Sequence, residues 1–437
     1  MFPLQSDPGS DSAAALALQA DRGGLAARIL LALRRLAIGV LLAVNLAGGI
    51  YRYAHPYETG ENHVVWDLKG GVRITRACDP MLLGATPPPH ECRAAVPYLP
   101  GGFVFFRWLG VLPWDLVAAA WLAISLPVTF LLYRRTILHL ARGPDPASPR
   151  ARAVILGSLV AFKGTSLALY SGNFSLIATW LLGYAAIHEL LRRRGWEWHV
   201  ALCLALAATK PSLAAPFFLY LLLAGDLRAF GLACAATIAI HVPASFAYLG
   251  PLRHLEILTM GLNTVETYHL NASALLGASG RVDLRPLLES LGLASRAVAA
   301  VLASLFAAAT GALVWYRRRT GDRLLLLNCN LLFFAPMYHR DYDIPLLMLI
   351  AMPLLWKHRR RFGMAMALVA LPAVLPLQFL YAAGMQRAPD LTMLWNAVGT
   401  SMIISVLGIG AWLNWCELSP RRRGDPGPAA IPGRSSP

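Results

Sequence analysis

The chain has 437 residues, of which 57% are hydrophobic and only 14% charged, and its mean hydropathy is +0.53. That balance excludes a water-soluble domain of this size and points to lipid as the solvent. A net charge of +16 could suggest nucleic acid, but the basic residues stand at the ends of apolar runs, which is the pattern of membrane topology.

The basic clusters are Arg28/Arg34/Arg35, Arg134/Arg135 with Arg142/Arg150/Arg152, Arg192 to Arg194, Arg317 to Arg319 with Arg323, Lys357 with Arg359 to Arg361, and Arg421 to Arg423. Short Lys/Arg-rich flanks are retained in the cytoplasm, so these ends and both termini are expected there. The reading is an all-α polytopic membrane protein: a cytoplasmic tail over 1–27, one multi-span domain over 28–415, and a disordered cytoplasmic tail over 416–437. The first 24 residues lack the basic start and cleavage site of a signal peptide, so the first span is expected to be an uncleaved anchor.

In chain order, span one ends near Tyr51 and opens into the longest polar loop, about 54–100. Loops this long in a compact protein are usually functional or disordered, and Trp66, Ile74 and Met81 argue for packing. A short interfacial helix is expected over 102–114, rich in Phe and Trp, before a span returns near Tyr133. A hairpin of spans follows, 153–170 and 174–191, with the polar outer turn Tyr170-Ser171-Gly172-Asn173. Segments 199–208 and 212–224 are too short for comfortable spans and flank Thr209-Lys210-Pro211. Such broken helices survive only where protein or a wet cavity surrounds the freed backbone. A further span ends near Tyr248, and a second outer loop covers about 250–291. Spans over 294–315, 324–337, 344–356, 363–381 and 395–412 complete roughly 10–12 crossings.

Six cysteines are present, and only Cys78 and Cys92 lie in an outer loop, where a disulfide between them is chemically permitted and equally a pair of thiols. Cys203, Cys234, Cys329 and Cys416 sit in apolar runs as small hydrophobes. No His/Cys spacing matches a metal site and no cofactor is expected, although the outer carboxylates leave room for a divalent ion.

Ionisable residues gather at the outer turns: Asp67, Lys69, Arg73, Arg76 and Asp79 in the first loop, Lys210 at the helix break, His269 in the second loop, then His339, Arg340, Asp341 and Asp343. A carboxylate can take the proton of a hydroxyl, while Lys and Arg can hold a departing phosphate through charge-assisted hydrogen bonds. Both halves of a glycosyl-phosphate transfer are therefore represented. Lys210 within an apolar segment is costly enough to require a partner or a function; snorkelling at a helix end is its simplest structural alternative. For Asp67 the structural alternative is a helix cap or a pair with Lys69 or Arg73, and for Asn173 and Asn271 a cap or turn.

Asp67 after the first span, Cys78-Asp79-Pro80, Val96-Pro97-Tyr98-Leu99-Pro100-Gly101, Gly172-Asn173-Phe174-Ser175, Lys210-Pro211, Asn271-Ala272-Ser273, and His339 followed by Asp343 come in a definite order. In that order and placement the chain resembles the polyprenyl-phosphate-mannose-dependent mannosyltransferases of glycosyltransferase family 87, which have a GT-C membrane fold. Where that family usually carries Tyr-Pro-Pro and Gly-Gln-x-Asn, this chain has Pro97-Tyr98-Leu99-Pro100 and Gly172-Asn173-Phe174-Ser175, with an insertion around Pro87-Pro88-Pro89. The resemblance implies Asp67 as the catalytic base of an inverting transfer, Lys210, His339 and Arg340 at the donor phosphate and lipid, and Asp79, Asn173, His269, Asn271 and Asp343 at the acceptor or sugar. It also implies a polyprenyl-phosphate sugar donor, a glycan or glycolipid acceptor, membrane lipids as surroundings with no nucleic acid, and an extracytoplasmic site on a bacterial cytoplasmic membrane.

Two other functions fit the hydropathy. A lipid or glycan transporter or flippase would use the polar turns as gates, but it should keep its charges near the midplane of several spans. A glycan polymerase or ligase using a lipid-diphosphate donor predicts an Arg-rich outer loop, which Arg73, Arg76 and Arg93 supply.

Overall fold

The computed structural model describes residues 98–140, 148–161, 163–191, 197–247, 250–252, 254–255 and 296–317, with isolated positions between 29 and 43, 67 and 75, and 343 and 349. Among the described residues the elements are all helices: α1 (Pro100–Leu109), α2 (Trp114–Leu140), α3 (Pro149–Ala161), α4 (Lys163–Ser171), α5 (Phe174–Leu191), α6 (Glu197–Ala207), α7 (Pro211–Ala224), α8 (Leu227–Phe246) and α9 (Arg296–Arg317).

Their boundaries follow local chemistry. Pro100 and Pro211 open α1 and α7, where a missing N–H removes only a group that would have no helical partner. One dipeptide ends α7 and starts α8. Gly225 adopts φ 83° and its N–H reaches the Leu222 carbonyl; the Asp226 N–H reaches Leu221 at 2.9 Å, and the Asp226 carboxylate accepts from the Ala229 N–H. Gly172 plays the same part between α4 and α5 at φ 69°, where a turn was expected.

The segment Trp114–Leu138 of α2 and the whole of α8 are long and apolar enough to cross a membrane, by length and composition. Only 33% and 22% of their apolar windows are buried inside the protein; Leu116, Ile124, Leu126 and Leu131 of α2 and Ile238 and Phe246 of α8 point outward. The broken pair is α6 and α7, 11 and 14 residues long, with Ala208-Thr209-Lys210 between them. The short helix expected before α2 is α1, which buries Phe103 and Phe106 and exposes Val104 and Trp108. The spans expected over 324–337, 363–381 and 395–412, nearly all of 344–356 and of the second outer loop, and both tails lie outside the described residues.

Among the described residues three apolar clusters hold the helices together. Leu182, Leu204, Leu213, Phe217 and Tyr220 join α5, α6 and α7, with Val314 of α9 and Leu346. A second cluster packs Leu68, Phe106, Trp121, Leu169, Phe174 and Leu176, and a third packs Leu132, Tyr133, Ile137, Leu159 and Leu349. Between α2 and its neighbours several polar groups pair in the interior: Trp121 Nε1 donates to the Leu169 carbonyl and Trp180 Nε1 to Thr129 Oγ1, each at 2.8 Å, and the Tyr133 and Thr165 hydroxyls meet at 2.8 Å. Such bonds fix helix rotation where apolar contact alone is indifferent to it. The polar groups of the candidate site sit between the first and second clusters, because Ser175 lies between Phe174 and Leu176 while Lys210 stands at the head of α7.

Candidate active site

The site is built outward from the turn before α5. Asn173 caps this helix: its Oδ1 accepts from the Ser175 N–H at 2.9 Å and from Ser175 Oγ at 2.5 Å. With the oxygen so occupied, the amide nitrogen faces away from the helix, and Nδ2 donates to Asp67 Oδ2 at 2.8 Å. Asp67 is half-buried, and its neighbour Leu68 is anchored in the second cluster.

Lys210 reaches the same turn from the other side. Its Nζ donates to Ser175 Oγ and, at 2.7 Å, to Asp343 Oδ1. Lys210 is 5% exposed and Asp343 1%, so this is an ion pair inside the protein. A continuous polar line therefore runs from Asp343 through Lys210, Ser175 and Asn173 to Asp67.

The head of α1 closes over the break. The Leu99 N–H donates to the Thr209 carbonyl at 3.0 Å, a backbone group freed where α6 stops. The Gly101 N–H donates to His241 Nδ1 at 3.1 Å, and His241 Nε2 in turn faces the Ala205 carbonyl at 3.1 Å. Because Nδ1 accepts, the proton resides on Nε2 and is given to Ala205. Backbone approach here demands glycine: a Cβ on Gly101 would lie 2.9 Å from the His241 ring, and one on Gly102 2.8 Å from the Thr209 methyl. Tyr98 lies edge-on to Phe106 and Phe174, with centroids 5.3 and 5.8 Å away, so an aromatic wall borders the Asn173 turn.

Beyond α8, His254 is buried against Phe103, ring centroids 5.2 Å apart. Burial pushes its imidazole down to about 4, with the Tyr98 backbone opposing the shift and His241 adding to it.

Of the residues expected at the site, the fold thus brings together Asp67, Asn173, Lys210 and Asp343. Asp67 meets Asn173, and Lys69 lies over the Trp114 ring, 5.9 Å from its centroid. Lys210 is tied to Ser175 and Asp343 inside the protein, and Asp343 is tied to Lys210. Asp79, His269, Asn271, His339, Arg340, Cys78 and Cys92 lie outside the described residues. Cys203 and Cys234 are free thiols, partly rather than fully buried. Among the described residues no three His, Cys, Asp or Glu side chains are placed to hold a metal ion.

Sequence reasoning gave no role to Ser175 or His241. Ser175 was legible as the second residue after an Asn helix cap; His241 offered only an imidazole in an apolar run.

The model of glycosyltransferase family 87 matches residues 97–338, more than half of the chain. The chain belongs to that family. As a glycosyltransferase it is an enzyme that passes a sugar from a donor to an acceptor, and the transporter alternative falls away. No curated protein and no solved structure matches it. The matched stretch of this glycosyltransferase contains Asn173, Ser175, Lys210 and all nine described helices; Asp67 and Asp343 lie on either side of it and are joined to it by the hydrogen bonds above.

Proposed function

We propose that this glycosyltransferase is a polytopic membrane enzyme of GT-C architecture. It moves a hexose, mannose first, from a polyprenyl-phosphate sugar to a hydroxyl of a glycan or glycolipid on the extracytoplasmic face, inverting the anomeric carbon. Membrane embedding is supported by the outward apolar faces of α2 and α8, since water would penalise such surface and lipid does not. A site opening on the extracytoplasmic side is supported by the Arg-rich ends of the apolar runs, which leave the Asp67 loop on the opposite side.

The observation that carries the chemistry is Asp67, a half-buried carboxylate held by the Asn173 amide at 2.8 Å. A base held in this way loses little freedom when a hydroxyl arrives. In the reaction the acceptor O–H proton passes to Asp67 as the acceptor oxygen attacks the anomeric carbon from the face opposite the phosphate. The carbon–oxygen bond to the phosphate breaks, and its electron pair leaves with the polyprenyl phosphate. His339 and Arg340 are the proposed contacts of that phosphate; Asp79, His269 and Asn271 are the proposed contacts of the acceptor or sugar. No metal is required by this sequence of steps, and none is assigned.

The test is transfer by the purified full chain in detergent. Donors would be polyprenyl-phosphate-mannose beside other polyprenyl-phosphate hexoses, the acceptor a membrane glycolipid extract, and the anomeric configuration of the product would be read by NMR. Asp67→Asn is expected to lower kcat by roughly 10²–10⁴-fold, the usual contribution of a general base. Full activity of that variant, or a product with retained configuration, would overturn the mechanism.

A further inference from the structure

Lys210 was expected to meet a lipid phosphate, and among the described residues its ammonium donates to Asp343 Oδ1 and Ser175 Oγ. The donor and acceptor roles along this line have a single consistent assignment. An ammonium only donates, so Ser175 Oγ must accept from Lys210 and has one proton left. That proton goes to Asn173 Oδ1, which also takes the Ser175 N–H. Both bonds require an oxygen at that position, so the amide is locked with its nitrogen toward Asp67. In the flipped amide an NH₂ group would face two donors and an oxygen would face a carboxylate, which is repulsive at both ends. The direction of every bond is thus set from the buried charge on Lys210, itself held by Asp343 across 133 residues of sequence.

We infer that Lys210, Ser175 and Asp343 are positioning residues: through the Asn173 amide they hold Asp67 in the orientation that receives the acceptor proton, and they do not bind the donor phosphate. This rests on the reading of Asp67 as the general base. Neither Ser175 nor Asn173 touches a reacting atom in this scheme. A misplacement of about an ångström at a reacting centre can cost on the order of a hundredfold in rate, which is the scale a loosened Asp67 would show.

Two readouts separate positioning from phosphate binding and from a merely structural part. With the purified full chain, polyprenyl-phosphate-mannose and the same glycolipid acceptor extract, Ser175→Ala is expected to lower kcat about tenfold to a hundredfold while the donor KM moves less than about twofold. The acid limb of its kcat profile should shift to higher pH, because an Asp67 carboxylate less well served by a donor is protonated more readily. Ser175→Cys, which keeps a weak donor of similar size, should fall between wild type and Ser175→Ala. Lys210→Met should repeat the Ser175→Ala pattern; where it fails to fold, the two Ser175 variants decide.

Unchanged kcat in Ser175→Ala overturns the inference, as does a donor KM raised with kcat kept, which is the signature of lost phosphate binding. So does a fall in kcat with an unmoved acid limb, which a structural defect would give. The two levels fail separately. An inactive Asp67→Asn beside a fully active Ser175→Ala removes the positioning role alone, whereas a fully active Asp67→Asn removes the base and everything built on it.

Discussion

Lys210 and Asp343 form a 2.7 Å ion pair between residues 133 positions apart, both buried. Such a pair is weak ground for stability when compared with a well-packed apolar replacement, but removing one member strands the other charge. Lys210→Met is therefore expected to destabilise the protein by about 3–5 kcal/mol. Lys210→Met combined with Asp343→Leu should recover most of that loss. Thermal unfolding in detergent checks both; equal Tm losses in the single and double variants would contradict the argument.

Asn173 gives Asp67 its amide N–H while capping α5 with its oxygen. Asn173→Asp keeps the cap acceptor and sets a second carboxylate against Asp67. Like charges at hydrogen-bond distance oppose a shared ionised state, so the acid limb of kcat should move to higher pH, and the same repulsion should lower Tm at neutral pH more than at about pH 4. A profile that superimposes on wild type would show that Asp67 does not set that limb.

Gly101 and Gly102 let α1 lie against the break. Gly101→Ala presses on the His241 ring and Gly102→Ala on Thr209, at 2.9 and 2.8 Å. Each is expected to cost about 1–3 kcal/mol, as overpacking does elsewhere. Gly39 and Gly231 have open space where a Cβ would go, and Gly231→Ala on exposed α8 serves as the control, with Tm unchanged or raised by the helix preference for alanine.

His254, held down to about 4, makes stability depend on pH with a defined sign. In the unfolded chain an imidazole titrates near 6.5, so as pH falls the unfolded state takes up the proton first and stability is lost. The loss begins near pH 6.5, grows to about pH 4 and then stops, since both states are protonated below that. The Tm difference between wild type and His254→Phe should be constant above pH 6.5 and widen in favour of the variant below it. A difference independent of pH would show that folding does not lower the His254 imidazole.

Much of the frame was legible from the residues alone. Hydropathy located α2 and α8, and a lysine followed by proline located the break between α6 and α7, because proline cannot donate within a helix and an apolar run does not hold a lysine without cause. Gly172-Asn173 announced a turn and a helix cap for reasons that act within four residues. The expectation that Lys210 needed a partner was sound; the partner was not readable.

What the sequence by itself determined, then, is everything set by nearest neighbours and by solvent: apolar helices, their breaks and the glycine turns. Only the tertiary structure decided which polar groups meet. Asp67 and Asn173 are 106 residues apart, and Lys210 and Asp343 133 apart. Buried polar groups must find hydrogen-bond partners, but any of several charges could have served each of them. The choice among them is made by how the first and second apolar clusters pack, and that packing sets Lys210 on a line of hydrogen bonds leading to Asp67.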